Sequence, residues 1–242
     1  MAPLLEVVNV DKSFGVKVVD NLSLQVGEGD ALGIVGPNGA GKTTLLNLIT
    51  GDLSLDRGSI LIEGEDVTRT SSDWRCRRGL ARTAQIPRPF EGMTVFENVL
   101  VGAVFGAGVP MSEAQATPVA VEALERAQLL ASANRRAGAM PLLDRKRMEL
   151  ARALATQPKI LLLDEIAGGL TEAEVLELVE TIRGIHASGV TIVWIEHIVH
   201  ALLAVVDRIM AMSFGIKIAE GEPAEVMASP EVQEVYLGVA PE

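Results

Sequence analysis

Cysteine is almost missing from this chain. Cys76 is the only one in 242 residues, so no disulfide can close within it, and a reducing compartment fits. Aromatic residues make up 3%, which leaves the core to aliphatic side chains. Positive charge is in deficit: 21 Lys and Arg stand against 32 Asp and Glu, a net charge of −11. That balance argues against a nucleic-acid-binding surface, which needs cations to displace counterions from phosphates. Trp74-Arg75-Cys76-Arg77-Arg78 is a candidate local basic patch, and it reads as a solvated helix face. No run of about 18 apolar residues occurs; Ala201 to Met212 comes nearest and is broken by Asp207 and Arg208. The start has no basic segment leading into an apolar run, so no signal peptide is expected. A role at a membrane would therefore run through a partner. Internal repeats and low-complexity runs are also missing.

Hydrophobic residues make up 48% and charged residues 22%, a globular composition with a sizeable core. Its most informative stretch is Gly36-Pro37-Asn38-Gly39-Ala40-Gly41-Lys42-Thr43-Thr44. This fits the phosphate-binding pattern of glycine, four residues, glycine, lysine, then serine or threonine. Ala31 to Val35 before it reads as a buried strand, and Leu45 to Thr50 after it as a helix ending before Gly51. Gly36, Gly39 and Gly41 let the loop curl, so that backbone N–H groups and the helix dipole face a phosphate. Lys42 supplies a charge to the terminal phosphates, and the Thr43 hydroxyl is placed for magnesium. Nucleoside triphosphate binding follows.

Strands are expected at Leu4–Val10 and Lys17–Val26, with Asp11–Gly15 as their turn and Phe14 near its tip. Gly58–Gly64 and Leu80–Ala84 read as further strands, the latter leading to Gln85. The stretch from Pro87 to Thr156 is mostly helical. Thr94–Val104 forms one helix there. Thr117 and Pro118 look like the N-cap and first residue of a second, running to about Ala131. Asp144 caps a third through Thr156. Strand texture returns at Lys159–Glu165. Thr171 and Glu174 have capping-box spacing and open a helix with Val175, Leu178, Val179 and Ile182 on one face. Val190–Ile195 is a strand, His197–Val205 a helix, Asp207–Ser213 a strand and Phe214–Glu220 a hairpin arm. Short helical turns finish the chain. The pattern predicts a mainly parallel α/β core with antiparallel strands at its start and a helical insert between Gln85 and Lys159.

Ile160-Leu161-Leu162-Leu163-Asp164 is an apolar strand delivering a carboxylate at its C-terminal edge, where open α/β sheets bind ligands. Asp164 suits a magnesium site, directly or through water. Glu165 is the natural base for an attacking water.

These motifs, in this order, resemble the ATP-binding subunit of an ABC transporter over nearly the whole chain. The resemblance implies a P-loop NTPase ABC-type core with an inserted helical subdomain: a single ATPase domain over 1–242, its core at 1–85 and 158–242 and its helical subdomain at 86–157. It makes Phe14 the aromatic that stacks on adenine, and Gly36 to Thr44 the Walker A loop. Gln85 becomes the Q-loop glutamine, a ligand of magnesium and water. Asp164 and Glu165 become the Walker B acid and the catalytic glutamate. Ala167 to Thr171 matches the D-loop, and His197 the switch histidine that touches the γ-phosphate. His186 and His200 carry no motif and are read as structural. ATP and Mg2+ are the implied cofactors.

The resemblance breaks at one place. The family signature Leu-Ser-Gly-Gly-Gln should precede the helix carrying Glu149 to Leu154, and its slot holds Met140-Pro141-Leu142-Leu143-Asp144. The serine and the glycines are gone; in the family that serine and the helix N-terminus grip the γ-phosphate bound by the opposite subunit, and here Asp144 adds a like charge. Either backbone N–H groups with Arg145, Lys146 and Arg147 compensate, or the chain pairs with a non-identical ATPase subunit and only one of the two sites is competent.

Ala81-Arg82-Thr83, Thr94 to Val99, Ala151 to Gln157 and the tail from Gly221 through Tyr236-Leu237-Gly238 resemble ATPases of branched-chain amino acid, amide and urea importers. Such a chain would sit on the cytoplasmic face of the membrane with permease subunits and, indirectly, a substrate-binding protein. A groove near Pro87 to Thr94 would grip the permease. A soluble ABC-type ATPase is the alternative, and a P-loop kinase leaves His197 and Gln85 unexplained.

Overall fold

The computed structural model describes residues 2–106 and 108–237. In chain order it begins with β1 (Leu5–Phe14), β2 (Val16–Val26), β3 (Ala31–Val35), α1 (Lys42–Thr50), β4 (Arg57–Ile62), β5 (Glu65–Asp66), α2 (Ser72–Arg77) and β6 (Leu80–Arg82). The helical stretch follows as α3 (Val95–Gly106), α4 (Glu113–Arg126) and α5 (Leu142–Leu154). Next come β7 (Ile160–Asp164), α6 (Glu172–Ala187), β8 (Thr191–Ile195), α7 (Val199–Leu203), β9 (Arg208–Ser213), β10 (Ile216–Gly221), α8 (Pro223–Ala228) and α9 (Pro230–Leu237). Gly238, at the end of the tail, lies outside the described residues.

The chain divides into two compact units, Met1–Ser72 with Thr191–Glu242, and Asp73–Val190. In the first, β2, β1, β4 and β5 form an antiparallel sheet in that order. There β3 also lies parallel to both β8 and β9, with β10 antiparallel to β9. β3 and β8 are buried at every residue, as continuous apolar runs in parallel sheets should be. In the second unit β6 pairs in parallel with β7, and α3, α4 and α5 pack on one another. Among the described residues the buried hydrophobic side chains are aliphatic or methionine apart from Trp194, a fully buried aromatic of the first unit.

Local chemistry moves several expected boundaries. The polar stretch Asp11–Gly15 is not a loop: β1 continues to Phe14 through β-bulges, and only Gly15 turns. The Asp11 carboxylate accepts the Asn21 N–H at 2.7 Å, and Asp56 accepts the Ser13 N–H at 2.7 Å. Side chains thus satisfy amides that the bulged ladder leaves out. Helix α1 starts three residues early, at Lys42. Phe214 and Gly215, both with positive φ (46° and 81°), form the β9–β10 turn instead of opening the strand. Helix α7 is shorter than expected and leaves His197 ahead of it, because the buried Glu196 carboxylate accepts the His197 N–H at 2.9 Å.

Helix α4 starts before Thr117. Its N-cap is Ser112, and the Gln115 side chain accepts the Ser112 N–H at 3.0 Å and its hydroxyl at 2.8 Å. Pro118 therefore lies inside the helix, where it removes one hydrogen bond to the Ala114 carbonyl and crowds that carbonyl. Pro118→Ala is expected to raise the free energy of unfolding by about 1–3 kcal/mol, read as a higher midpoint in urea. The expected box at α6 stands: Glu174 accepts the N–H and hydroxyl of Thr171, each at 2.8 Å. Those two donors hold the Glu174 carboxyl below its usual value.

The basic stretch on α2 is not one solvated face. Arg75 is 1% exposed, Arg77 pairs with Asp73, and the Arg78 guanidinium lies 4.7 Å from the Trp74 ring centre.

Candidate functional site

The phosphate-type loop belongs to the first unit. Register places Ala31 opposite Ile192 and Ile34 opposite Ile195 on β8, and Val35 opposite Ala211 on β9. β3 therefore delivers Gly36 at the C-terminal edge of a parallel sheet. A Cβ on Gly36 would lie 2.2 Å from the Met212 carbonyl oxygen, and one on Gly41 would lie 2.4 Å from that of Val18. Both positions are closed to side chains by neighbouring backbone. Between them the Ala40 N–H donates to the Pro37 carbonyl (3.2 Å), and the Ala40 carbonyl accepts the Gly215 N–H (3.1 Å). Asn38 and Gly39 are exposed at the crest.

Lys42 is the first residue of α1 and is buried; its ammonium donates to the carbonyls of Gly36 (2.6 Å) and Pro37 (3.0 Å). The charge is held inside the curl of the loop. The first turn of α1 contains no acidic residue, so the turn itself supplies no anion to its own N–H groups and dipole. Thr43 is exposed and Thr44 half-buried. Val18, which abuts Gly41, lies two residues beyond Val16, the ladder partner of Phe14. The Phe14 ring is 57% exposed, with the Lys12 ammonium 5.4 Å from its centre. An exposed ring on that side of the loop suits stacking with a base. His197 follows β8 and is exposed.

The carboxylates belong to the second unit. β7 is fully buried and ends in Asp164, which is 1% exposed. Arg82 on β6 donates to Asp164 Oδ2 at 2.6 Å, while Oδ1 is buried without a hydrogen-bond partner. Glu165 takes a left-handed backbone (φ 46°), and its carboxylate accepts from the Gln85 side chain. Among the described residues no group of three or more His, Cys, Asp or Glu could hold a metal ion alone. One orphaned carboxylate oxygen is instead what a magnesium site shared with phosphates requires, since Mg2+ takes one or two carboxylates and keeps water and phosphate oxygens. The Asp164 carboxylate has the character that such an ion asks for.

The signature slot differs in character. Pro141, not Asp144, is the N-cap of α5, and the Arg145 N–H closes the first turn on the Pro141 carbonyl at 3.0 Å. Asp144 sits inside that first turn, where its carboxylate already complements the helix dipole. Leu142 is 39% exposed at the tip. The three cations expected to compensate are committed elsewhere. Arg145 donates to the carbonyls of Met140 and Gly138, both at 2.8 Å. Lys146 is 3% exposed, and Arg147 is buried and donates to Gln128 and Glu177.

Sequence reasoning missed Arg82 and Glu196 as members of these clusters. A charged residue inside a strand beside an acid-delivering strand was the available signal for the first. For Glu196, an acid between an apolar strand and a histidine was the corresponding signal.

Residues 19–168 match the family model of the ABC transporter, and residues 217–242 that of the branched-chain amino acid ATP-binding cassette transporter. The probable branched-chain amino acid transport ATP-binding protein LivG of Methanocaldococcus jannaschii is 34% identical over 97% of each chain. The high-affinity branched-chain amino acid transport ATP-binding protein LivG of Salmonella typhimurium is 36% identical over 98% of this chain and 99% of its own. A crystal structure of an ATP-binding cassette of an ABC transporter in its ADP conformation is similar with a TM-score of 0.89 at 33% identity, covering 99% of this chain and 100% of that one. Matched by family model, full-length relatives and fold alike, the chain belongs to the ABC transporter family as one of its nucleotide-binding ATPase cassettes.

Proposed function

We propose that this cassette hydrolyses ATP on the cytoplasmic face of a membrane to drive an importer of branched-chain amino acids or related amides or urea. The observation that carries the reading is the tail: residues 217–242 match the branched-chain amino acid cassette model in addition to the general one. Substrate choice would rest with permease subunits and a substrate-binding protein. The stretch Pro87 to Thr94 would take up the permease, and the helical segment 86–157 would act as a subdomain that carries movement to it.

Each site residue has a role in this reading. Phe14 stacks on the adenine, and Gly36 to Thr44 cradle the phosphates through backbone N–H groups. Lys42 exchanges loop carbonyls for the terminal phosphates. Thr43, Gln85 and Asp164 would hold Mg2+, whose charge would offset that of the phosphates. Glu165 takes a proton from water as its oxygen attacks the γ-phosphorus, ADP leaves with the bridging oxygen, and inorganic phosphate is released. His197 contacts the γ-phosphate.

A second ATPase subunit completes the reading, and the signature slot favours a non-identical one. With Asp144 in the first turn of α5 and Arg145 to Arg147 committed elsewhere, that end of the helix offers poor purchase for a partner's γ-phosphate. Size exclusion of Glu165→Gln with ATP is expected to give a nucleotide-bound monomer alone, and a dimer once a cassette with an intact signature is added. A dimer formed by this chain alone would overturn the non-identical pairing. Membrane fractions that release the cassette only with alkali or chaotrope are expected; recovery in the soluble fraction would favour a non-transport role.

A further inference from the structure

Arg82 lies on β6 opposite Leu162 of β7, two residues before Asp164. Its guanidinium donates to Asp164 Oδ2, and the pair is nearly dry, with side chains 20% and 2% exposed. The other oxygen, Oδ1, is buried and has no hydrogen-bond partner, an arrangement that is unfavourable unless something satisfies it. Three residues after Arg82, the Gln85 side chain donates to Glu165. One short segment therefore holds two adjacent carboxylates, one by charge and one by a neutral amide.

We propose that Arg82 is a positioning residue that sets how strongly this cassette draws the divalent cation of bound nucleotide. It takes one oxygen of Asp164, turns the other toward the cation as a single ligand, and weakens the cation's hold by its own charge. This rests on the reading of Asp164 as the magnesium carboxylate. The Arg82 guanidinium places a positive charge beside the point where a second cation arrives. Away from bulk water the repulsion is screened less than at the surface. The cassette then needs more free Mg2+ to fill its site than it would with a neutral residue at position 82, and the single oxygen excludes bidentate ligation.

The test is Mn2+ binding to the full chain with a saturating non-hydrolysable ATP analogue, read by the paramagnetic resonance signal of free Mn2+. Arg82→Gln is expected to lower the half-saturating Mn2+ concentration by roughly tenfold, with analogue affinity in EDTA unchanged. Arg82→Met removes the charge while keeping an unbranched stem, and is expected to lower it by a similar factor. It decides alone should Arg82→Gln fail to fold. An unmoved or raised half-saturation in the folded variants overturns the proposal. Asp164→Asn is expected to raise the half-saturating Mn2+ concentration by more than tenfold, toward what the analogue's phosphates bind by themselves. If it does, while the Arg82 variants bind as the native chain does, only the role of Arg82 falls. If Asp164→Asn binds Mn2+ as the native chain does, the metal role of Asp164 falls and the proposal with it.

Discussion

Glu165→Gln is expected to keep ATP bound and to slow hydrolysis by roughly 10²- to 10⁴-fold, the usual share of a general base. The substitution isolates basicity. Glutamine has nearly the same shape as glutamate, and the left-handed backbone at φ 46° strains both side chains equally. The Gln85 amide that donates to Glu165 finds the carbonyl oxygen of the new amide once it flips. What is lost is the capacity to accept a proton from water. Steady-state phosphate release, set beside equilibrium binding of a fluorescent ATP analogue, separates the two. Loss of binding, or a rate within about fivefold of the native one, would remove Glu165 from the role of base.

Gly41→Ala is expected to destabilise the chain by about 2–4 kcal/mol and to abolish nucleotide binding. Two costs combine. The backbone angle of φ 95° is one that L-residues rarely adopt, and the new methyl would lie 2.4 Å from the Val18 carbonyl oxygen. That oxygen belongs to a strand in the middle of the loop's support, so it cannot withdraw alone. Gly39→Ala is the matched control. Its φ is 83°, yet a Cβ there meets nothing within 4 Å, so only the conformational cost of about 1–2 kcal/mol remains. Urea unfolding of both variants checks the difference. Equal losses would mean that conformation alone, and not the close approach to β2, demands glycine at position 41.

The parts of this molecule that could be read from its sequence are those encoded locally. β3, β7 and β8 are unbroken apolar runs, the loop after β3 is a spaced motif, and the Thr171–Glu174 cap is complete within four residues. What escaped depends on partners far along the chain. Asp11 to Phe14 looks like a turn until Asn21 and Asp56 engage its polar groups. Pro118 is the exception: a proline suits the first helical position, and that outweighed the true cap, Ser112 with Gln115, although this box too is complete within four residues. The buried state of Arg75, the commitments of Arg145 to Arg147 and the Arg82–Asp164 pair are tertiary facts. An arginine reads as surface by default, and here that default fails at each of these places. Of the candidate site, residue identities and chain order were legible; the electrostatic surroundings were not.

The scarcity of aromatic side chains has an optical consequence. The chain has two tryptophans, and the two compact units hold one each: Trp194 within β8, fully buried, and Trp74 on α2 beneath the Arg78 guanidinium. Intrinsic fluorescence therefore carries two separable signals. Emission from Trp194 is shielded from aqueous quenchers and belongs to the sheet that bears the phosphate loop. Trp74 is half-buried on a short surface helix, within reach of a quencher, and belongs to the unit that bears Asp164 and Glu165. Replacing either with phenylalanine leaves a chain in which a single unlabelled reporter follows one unit alone through nucleotide binding and turnover.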